Sequence, residues 1–113
     1  MKGNDGERLE RRARVLSALA NPVRLKILEQ LSERDMSVSE LTEVADLDIS
    51  TVSRHLGILR QTGIVSRTAC GTTRLYSLSR PCVLGFLDCV DDMLEEGSAL
   101  CATDFRKRME NAR

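Results

Sequence analysis

The chain has 113 residues, of which 30% are charged and 42% hydrophobic, and its 17 basic and 17 acidic residues give a formal net charge of zero. This size and composition predict one globular domain over residues 1–113 and exclude a disordered tail or a collagen-like fibre. Because the chain has few aromatic residues (Tyr 1, Phe 2, Trp 0), it is a poor match for proteins that stack single-stranded bases on aromatic rings. No apolar run is long enough to span a membrane, so we expect a cytoplasmic protein with reduced cysteines.

Two helices are predicted at the start of the chain. Apolar residues recur at helical spacing over residues 7–20, and arginines occupy the remaining faces. Asn21 followed by Pro22 is typical of the start of a second helix, because asparagine caps free amides and proline suits the first turn. The same spacing continues from there, and the second helix is predicted to end near Glu33.

A short third helix and a fourth helix are predicted next, joined by a tight turn. Ser37 and Glu40 have the spacing of a capping box, and the third helix is predicted to end by Asp46. The fourth helix ends at Gly63 and has one apolar face and one polar face. The apolar face comprises Val52, Leu56 and Leu59. The opposite face comprises Ser50, Ser53, Arg54, Gly57 and Gln61.

A β-hairpin and a long helix complete the predicted fold. Residues 65–69 and 74–79 form short runs that alternate or are rich in β-branched residues, so they predict two strands joined through residues 70–72. Pro81 opens a final helix. The predicted fold class is mainly α with a small β-hairpin.

Positive charge is concentrated in one part of this neutral chain. Residues 49–80 contain five arginines and no acidic residue: Arg54, Arg60, Arg67, Arg74 and Arg80. Such a stretch is typical of a surface that binds a polyanion, because phosphates attract arginine and repel carboxylates. A solvated basic face is the alternative that the composition leaves open.

The third and fourth helices match the helix-turn-helix plan, in which the second helix enters the major groove of double-stranded DNA, and the hairpin would be a wing. The front of the fourth helix carries hydroxyls and an arginine that can reach base edges: Ser50, Thr51, Ser53 and Arg54. Arg67 and Arg74 on the hairpin can reach phosphates or a minor groove. Taken singly, the hydroxyls have a simpler interpretation as capping and surface residues.

His55 is the single histidine of the chain. We interpret it as a phosphate contact, with a surface or turn-packing role as the alternative. The chain also lacks a nucleophile–base pair, a glycine-rich phosphate loop and a cleft of paired carboxylates. The sequence therefore predicts that the protein is not an enzyme.

Three segments carry a resemblance to a known family: ALANPVRLKILEQL at residues 18–31, STVSRHLGILRQTGIV at 50–65 and RLYSL at 74–78. Through them the chain resembles the ArsR/SmtB family of winged helix-turn-helix repressors. The resemblance implies a homodimer that binds operator DNA and releases it when a metal ion, a metalloid or a thiol-reactive signal is sensed. It also implies that Ser50, Ser53 and Arg54 read DNA and that the wing tip lies at 71–74.

The last helix also favours a dimer, because its two neighbouring apolar stripes form a wider face than one small domain covers. The stripes are Val83, Leu87, Val90 and Leu94, and beside them Cys82, Phe86, Cys89 and Met93. A monomer whose last helix packs more deeply is the alternative. The predicted division of the domain is dimerisation helices at 1–20 and 81–100, a helix-turn-helix at 37–63, a wing at 64–80 and a tail at 101–113.

Two metal sites of the family are not predicted in this chain. The Cys-x-Cys site of the third helix is replaced by hydroxyls at Ser37 and Ser39, and the acidic residues of the last helix have no histidine beside them. Cysteines remain, but Cys82 and Cys89 are separated by ~10.5 Å of helical rise, too far to share one ion. Gly97 followed by Ser98 can break the helix and let Cys101 fold back towards Cys89, or the two-fold axis of a dimer can bring in cysteines of the other subunit.

The predicted metal ligands are therefore Cys82, Cys89 and Cys101. No permanently bound cofactor is expected, and the predicted inducer is arsenite or antimonite, or a soft divalent metal such as cadmium or lead. Thiol oxidation or persulfide formation is an alternative trigger, and purely structural burial of the cysteines is another. Cys70, at the wing tip, is a weaker candidate thiol. An adaptor that binds only proteins is the alternative from another functional class.

Overall fold

The computed structural model of the chain describes the backbone of residues 3–99 and the side chains of residues 5–95. Seven elements follow one another: α1 (Gly3–Leu19), α2 (Pro22–Glu33), α3 (Val38–Ala45), α4 (Ile49–Gln61), β1 (Val65–Cys70), β2 (Thr73–Leu78) and α5 (Cys82–Ala99). They divide into two units, one ending at Pro81 and the other containing α5. The order confirms the predicted fold class, mainly α with a small β-hairpin.

Polar side chains lie at the start of each of the first two helices, in the first turn of α1 and at the N-cap of α2. α1 begins at Gly3, before the predicted residue 7, because the polar first turn continues the helix although it adds nothing to the apolar pattern. There Asp5 and Arg8 lie 3.8 Å apart across one helical turn. α2 begins as predicted, since the Asn21 side chain accepts hydrogen bonds from the backbone N–H groups of Val23 at 2.9 Å and Arg24 at 3.2 Å.

An apolar core between α2, α3 and α4 fixes the orientation of α4. The core side chains that these helices bury are Ile27, Leu28, Leu31, Leu41, Ala45, Val52, Leu56 and Leu59. The buried face predicted for α4 is confirmed. Because this face is held against α2 and α3, the opposite face of α4 is turned to solvent.

The capping box predicted at the start of α3 is present. The Ser37 hydroxyl accepts a hydrogen bond from the Glu40 N–H at 3.2 Å, and the Glu40 carboxylate accepts one from the Ser37 N–H at 3.2 Å. Arg34 donates to the same carboxylate at 2.7 Å, and this bond, ahead of that from Ser37, lowers the pKa of Glu40 below its ordinary value.

We expect Ser37→Ala to lower the free energy of unfolding by about 1 kcal/mol, because the substitution leaves the Glu40 N–H without its acceptor. Urea denaturation at fixed protein concentration measures the change. Ser39→Ala is the matched control on the same helix, since Ser39 is exposed and its loss should change stability by less than about 0.5 kcal/mol. Equal losses in the two variants would contradict the capping role.

The turn between α3 and α4 consists of residues 46–48. Asp46 adopts a left-handed backbone conformation with φ of 53°, and aspartate is one of the few residues that tolerate it. The Leu47 N–H donates to the Thr42 carbonyl at 3.2 Å. This tight connection brings the next residue, Asp48, to the front of α4.

The two strands form an antiparallel hairpin in which Val65 lies opposite Leu78 and Cys70 lies opposite Thr73. At the turn each strand reaches one residue further than predicted, because the turn needs only Gly71 and Thr72, whereas β2 ends at Leu78, one residue before its predicted end. Gly71 has φ of 66°, which glycine adopts without strain. Cys70 is therefore the last residue of β1 and is exposed.

A single residue of the α2–α3 connection joins the hairpin. Met36 pairs with Tyr76 in antiparallel fashion: the Tyr76 N–H donates to the Met36 carbonyl at 2.8 Å, and the Met36 N–H donates to the Tyr76 carbonyl at 3.1 Å. Both side chains are buried. The base of the hairpin is thereby attached to the segment that leads into α3.

The second unit is the helix α5, which runs without a break through Gly97 and Ser98 to Ala99. The predicted break at these residues is wrong, because one glycine in a helix costs only about 1 kcal/mol and does not by itself end it. Cys101 lies outside the described residues. Part of the predicted apolar face is exposed: Phe86, Met93 and Leu94. Within the described part of the chain, none of the helices has the length and apolarity needed to cross a membrane.

Candidate nucleic-acid interface

The outward face of α4 is polar and accessible, as predicted. Its exposed residues are Ser50, Ser53, Arg54, Gly57 and Gln61. Thr51, another predicted contact of this helix, is half-buried. The face begins at the first turn of α4 and continues to the last, so a ligand that lies along it meets side chains from the whole helix.

Asp48 organises the front of α4. Its carboxylate accepts hydrogen bonds from the backbone N–H groups of Ser50 at 3.2 Å and Thr51 at 3.3 Å, and also from the Ser50 hydroxyl. The Ser50 hydroxyl bond is the largest cause that lowers the pKa of Asp48, followed by the bond from the Thr51 backbone. Because the Ser50 hydroxyl donates its hydrogen to Asp48, only its oxygen remains available to a ligand, as a hydrogen-bond acceptor. The prediction missed Asp48, although aspartate directly before a helix is a typical N-cap.

Two side chains behind this turn have unused hydrogen-bonding capacity. Among the described residues, neither the Ser53 hydroxyl nor the Arg54 guanidinium has a protein partner in a hydrogen bond or ion pair, and both are exposed. A free guanidinium on a rigid helix can donate two parallel hydrogen bonds to the O6 and N7 atoms of guanine. A short hydroxyl beside it can contact a base edge only at close approach. Ser53 and Arg54 therefore suit a nucleic-acid groove that is wide enough to admit α4, such as the major groove of duplex DNA.

The hairpin arginines extend the positive surface. Arg67 lies opposite Tyr76 and Arg74 lies opposite Ala69, so the two arginines are diagonal neighbours on one face of the hairpin. Both are exposed. The same face of the hairpin carries the buried side chains of Val65 and Tyr76 near its base. The two arginines therefore lie on the part of this face that extends beyond the core. All five arginines of the acid-free stretch are exposed: Arg54, Arg60, Arg67, Arg74 and Arg80.

His55, which was predicted to contact a phosphate, is buried. It is 6% exposed, and its Nδ1 accepts a hydrogen bond from Arg24 Nε at 3.0 Å. The structure therefore corrects the prediction of a phosphate contact and supports the packing role that was its alternative. Burial, followed by the charges of Arg24 and Arg54, lowers the pKa of His55 below its ordinary value of 6.5.

Cys82 and Cys89 are free and exposed on α5, as is Cys70 on the hairpin. On a continuous helix, ~10.5 Å of rise separates the first two, so their thiolates cannot bind the same ion. The described residues contain no group of three histidine, cysteine or acidic side chains that could hold a metal ion. A thiol site would therefore need further ligands, from Cys101 or from a second subunit.

Comparison with known sequences identifies the family of this domain. Residues 21–67 match the family described as bacterial regulatory protein, arsR family. The HTH-type transcriptional regulator Rv0081 of Mycobacterium tuberculosis is 41% identical over 71 residues, which is 62% of this chain and 62% of that protein. The aligned part thus spans less than two thirds of that relative.

Solved structures agree over a longer part of the chain. The homodimeric winged helix-turn-helix DNA-binding domain Mb0332 of Mycobacterium bovis has a TM-score of 0.77 and 26% identity, over 86% of this chain and 93% of that one. NolR of Sinorhizobium fredii has a TM-score of 0.74 and 34% identity, over 82% and 93% of the two chains. This protein belongs to the ArsR family of bacterial regulatory proteins and has the winged helix-turn-helix fold.

Proposed function

We propose that this protein is a homodimeric transcriptional repressor, which binds operator DNA through α4 and the hairpin and releases it when its thiols bind a soft metalloid or metal. The observation that carries the proposal is the exposed polar face of α4. It presents the unpartnered Ser53 and Arg54 beside a hairpin with two exposed arginines and no acidic residue. In this role the protein acts in the cytoplasm, where bacterial DNA is found.

The division of roles follows from the chemistry of each group. Arg54 and the hydroxyls at the front of α4 read base edges in the major groove, because these positions meet DNA first when a recognition helix enters. Arg67 and Arg74 neutralise phosphates or enter the neighbouring minor groove. Asp48 contributes indirectly, since it orders the first turn of α4.

A dimer is supported by the apolar surface that α5 exposes and by the description of the Mycobacterium bovis neighbour as homodimeric. Two copies of α4, related by a two-fold axis, would contact half-sites about 34 Å apart on one side of the duplex. An operator for this protein is therefore expected to be a near-palindrome with that spacing.

The thiol part of the proposal is supported by the exposure of Cys82 and Cys89. Arsenite suits such thiols because each As–S bond replaces an As–OH bond and releases water, with no change in oxidation state. Since these two thiols are too far apart to share an ion on one helix, binding would also engage Cys101 or cysteines of the second subunit. The resulting constraint on the carboxyl-terminal region would change the spacing of the two α4 helices and lower DNA affinity.

DNA binding is tested first. Duplexes are selected from a random-sequence pool with the purified protein, and their affinity is measured at several salt concentrations. We expect a shared near-palindromic sequence and a steep fall in affinity with salt, because phosphate contacts release counterions. Failure to enrich any duplex would contradict DNA binding and favour a protein-binding adaptor.

We expect arsenite to release the selected duplex from the parent protein, and Cys82→Ser, Cys89→Ser or Cys101→Ser to weaken this response at least tenfold. Gel-shift titration measures the response, and mass spectrometry of the treated protein counts bound arsenic. Cys70→Ser is the matched control, since Cys70 is an exposed thiol on the hairpin. A full response in all three variants would contradict thiol sensing. Release by an oxidant or a persulfide, with a new sulfur bridge and no arsenic adduct, would contradict metalloid sensing and support the redox alternative.

A further inference from the structure

The contact between Arg24 and His55 joins three helices. Arg24 Nε donates to His55 Nδ1 at 3.0 Å, and Arg24 Nη1 lies 3.4 Å from the Ser17 carbonyl and 3.3 Å from the Ala18 carbonyl. Arg24 belongs to α2, His55 belongs to the recognition helix α4, and the two carbonyls belong to the last turn of α1. One guanidinium therefore connects the end of α1 to the middle of α4.

This arrangement requires one protonation state of His55. Nδ1 accepts a hydrogen bond from Arg24 Nε, so in the neutral ring the proton must be on Nε2. A doubly protonated ring has no acceptor at Nδ1, and it would place a second positive charge against the guanidinium at the same distance. Protonation thus removes the hydrogen bond and replaces it with repulsion.

We propose that Arg24 and His55 form a positioning link for DNA binding, in which protonation of His55 breaks the connection that Arg24 makes between α4 and the end of α1 and lowers operator affinity at acid pH. Arg24 is a positioning residue, because it acts on the recognition helix through His55. The proposal rests on the function proposed above and adds to it a pH dependence of known sign.

The surroundings of His55 favour the neutral ring. Burial is the first cause that lowers the pKa of His55, and the charges that act on it are Arg24 from α2 and Arg54 from α4 itself. The elements α1, α3 and β1 also pack against α4, and none of their described residues is among the causes of this shift. The pKa of His55 therefore lies below the ordinary 6.5, and the link is intact at neutral pH.

The sequence makes this dependence easy to isolate, because the chain contains one histidine. Between about pH 5 and 7, no other side chain type titrates at its ordinary pKa. The direction in which DNA affinity changes with pH also distinguishes the two roles of His55. A histidine that contacted a phosphate would bind DNA more tightly when it is protonated, whereas the link to Arg24 predicts weaker binding.

The test measures affinity for the selected duplex between pH 7.5 and pH 5.0 at constant ionic strength. We expect the parent protein to lose about tenfold in affinity over this range, equivalent to ~1.4 kcal/mol. His55→Asn supplies an oxygen close to the position of Nδ1 and does not titrate. We expect it to keep the parent affinity at pH 7.5 within about threefold and to show no loss at pH 5.0. Affinity that rises on acidification, or equal profiles for the two proteins, would overturn the proposal.

Arg24→Lys distinguishes positioning from phosphate contact. The lysine keeps the positive charge but cannot donate to His55 and to α1 with one planar group. We expect about tenfold weaker binding at pH 7.5 with an unchanged slope of log affinity against log salt, whereas Arg54→Ala should reduce that slope by about one. A reduced slope in Arg24→Lys would mean that Arg24 binds phosphate and would overturn the proposal.

A readout without DNA separates this proposal from the repressor function. Long-range nitrogen–proton spectra of the parent protein should show neutral His55 with its proton on Nε2. Because the pKa of His55 is lower in the folded than in the unfolded chain, the free energy of unfolding should be greatest above pH 6.5. The part that His55 contributes should fall as the pH decreases below that value and level off below its folded pKa, whereas Glu40 and Asp48, whose pKa values are also lowered, lose their contributions at still lower pH. A proton on Nδ1 would overturn the link even if DNA binding is established, and absence of DNA binding at every pH would refute the repressor function instead.

Discussion

Replacing Arg54 by alanine is expected to weaken binding to the selected duplex by about 1–3 kcal/mol, or roughly one to two orders of magnitude. The reason is that the Arg54 guanidinium is exposed on the polar face of α4 and, among the described residues, has no partner within the protein. Its full hydrogen-bonding capacity is thus available to a base or phosphate. Fluorescence anisotropy with labelled duplex measures the change, and substitutions in the operator show whether discrimination at one base pair is lost.

Arg8→Ala is the control for this prediction. It removes the same charge from an exposed position on α1, where Arg8 pairs with Asp5 at 3.8 Å. We expect its effect on affinity to stay within about threefold, because a surface charge outside the proposed interface acts only through the screened field of the whole protein. If Arg8→Ala weakens binding as much as Arg54→Ala, the assigned interface is wrong.

Leu56→Ala is expected to lower the free energy of unfolding by about 2–5 kcal/mol, because it leaves a cavity in the core between α2, α3 and α4. The Leu56 side chain is 0% exposed and lies on the same face as Val52 and Leu59. Chemical denaturation at fixed protein concentration measures the loss, since the stability of a dimer depends on concentration. Binding of DNA should fall in proportion to the unfolded fraction.

Ile49→Ala is the matched control on the same helix. Ile49 is 55% exposed, so truncating its side chain removes little buried surface. We expect a change in unfolding free energy within about 0.5 kcal/mol. Comparable destabilisation by the two substitutions would show that the core assigned to α4 is incorrect.

The sequence predicted the elements whose signals are local. The capping box of Ser37 and Glu40 and the buried stripe of α4 follow from spacings within one helix, and both are present. The pairing of Met36 with Tyr76 could not be predicted, because a single bridging residue has no periodicity and its partner lies in a distant strand. The helix break expected at Gly97 failed for the opposite reason: a local propensity was overestimated against the continuity of α5.

In the candidate site, too, the features with a local signal were predicted and the contacts between helices were not. Ser53 and Arg54 were identified by their place on the polar face of α4, and that exposure was correct. His55, their direct neighbour, was assigned to the same ligand, but one further step around a helix of 3.6 residues per turn points its side chain inward. Its partner Arg24 lies on another helix, and no spacing in the sequence connects the two. Contacts of this kind become visible only when the helices are packed.

The pairing of Met36 with Tyr76 also determines how the hairpin can behave on a duplex. A hairpin attached only at its two ends could move to follow the groove, but the two backbone hydrogen bonds between Met36 and Tyr76 attach its base to the segment that leads into α3. The separation between the recognition helix and the base of the hairpin is consequently restrained before binding. A duplex that does not fit this separation must bend or narrow its groove, and stiff sequences resist such deformation more than flexible ones. For the operator binding proposed above, we therefore expect base pairs that no side chain touches to contribute to operator choice.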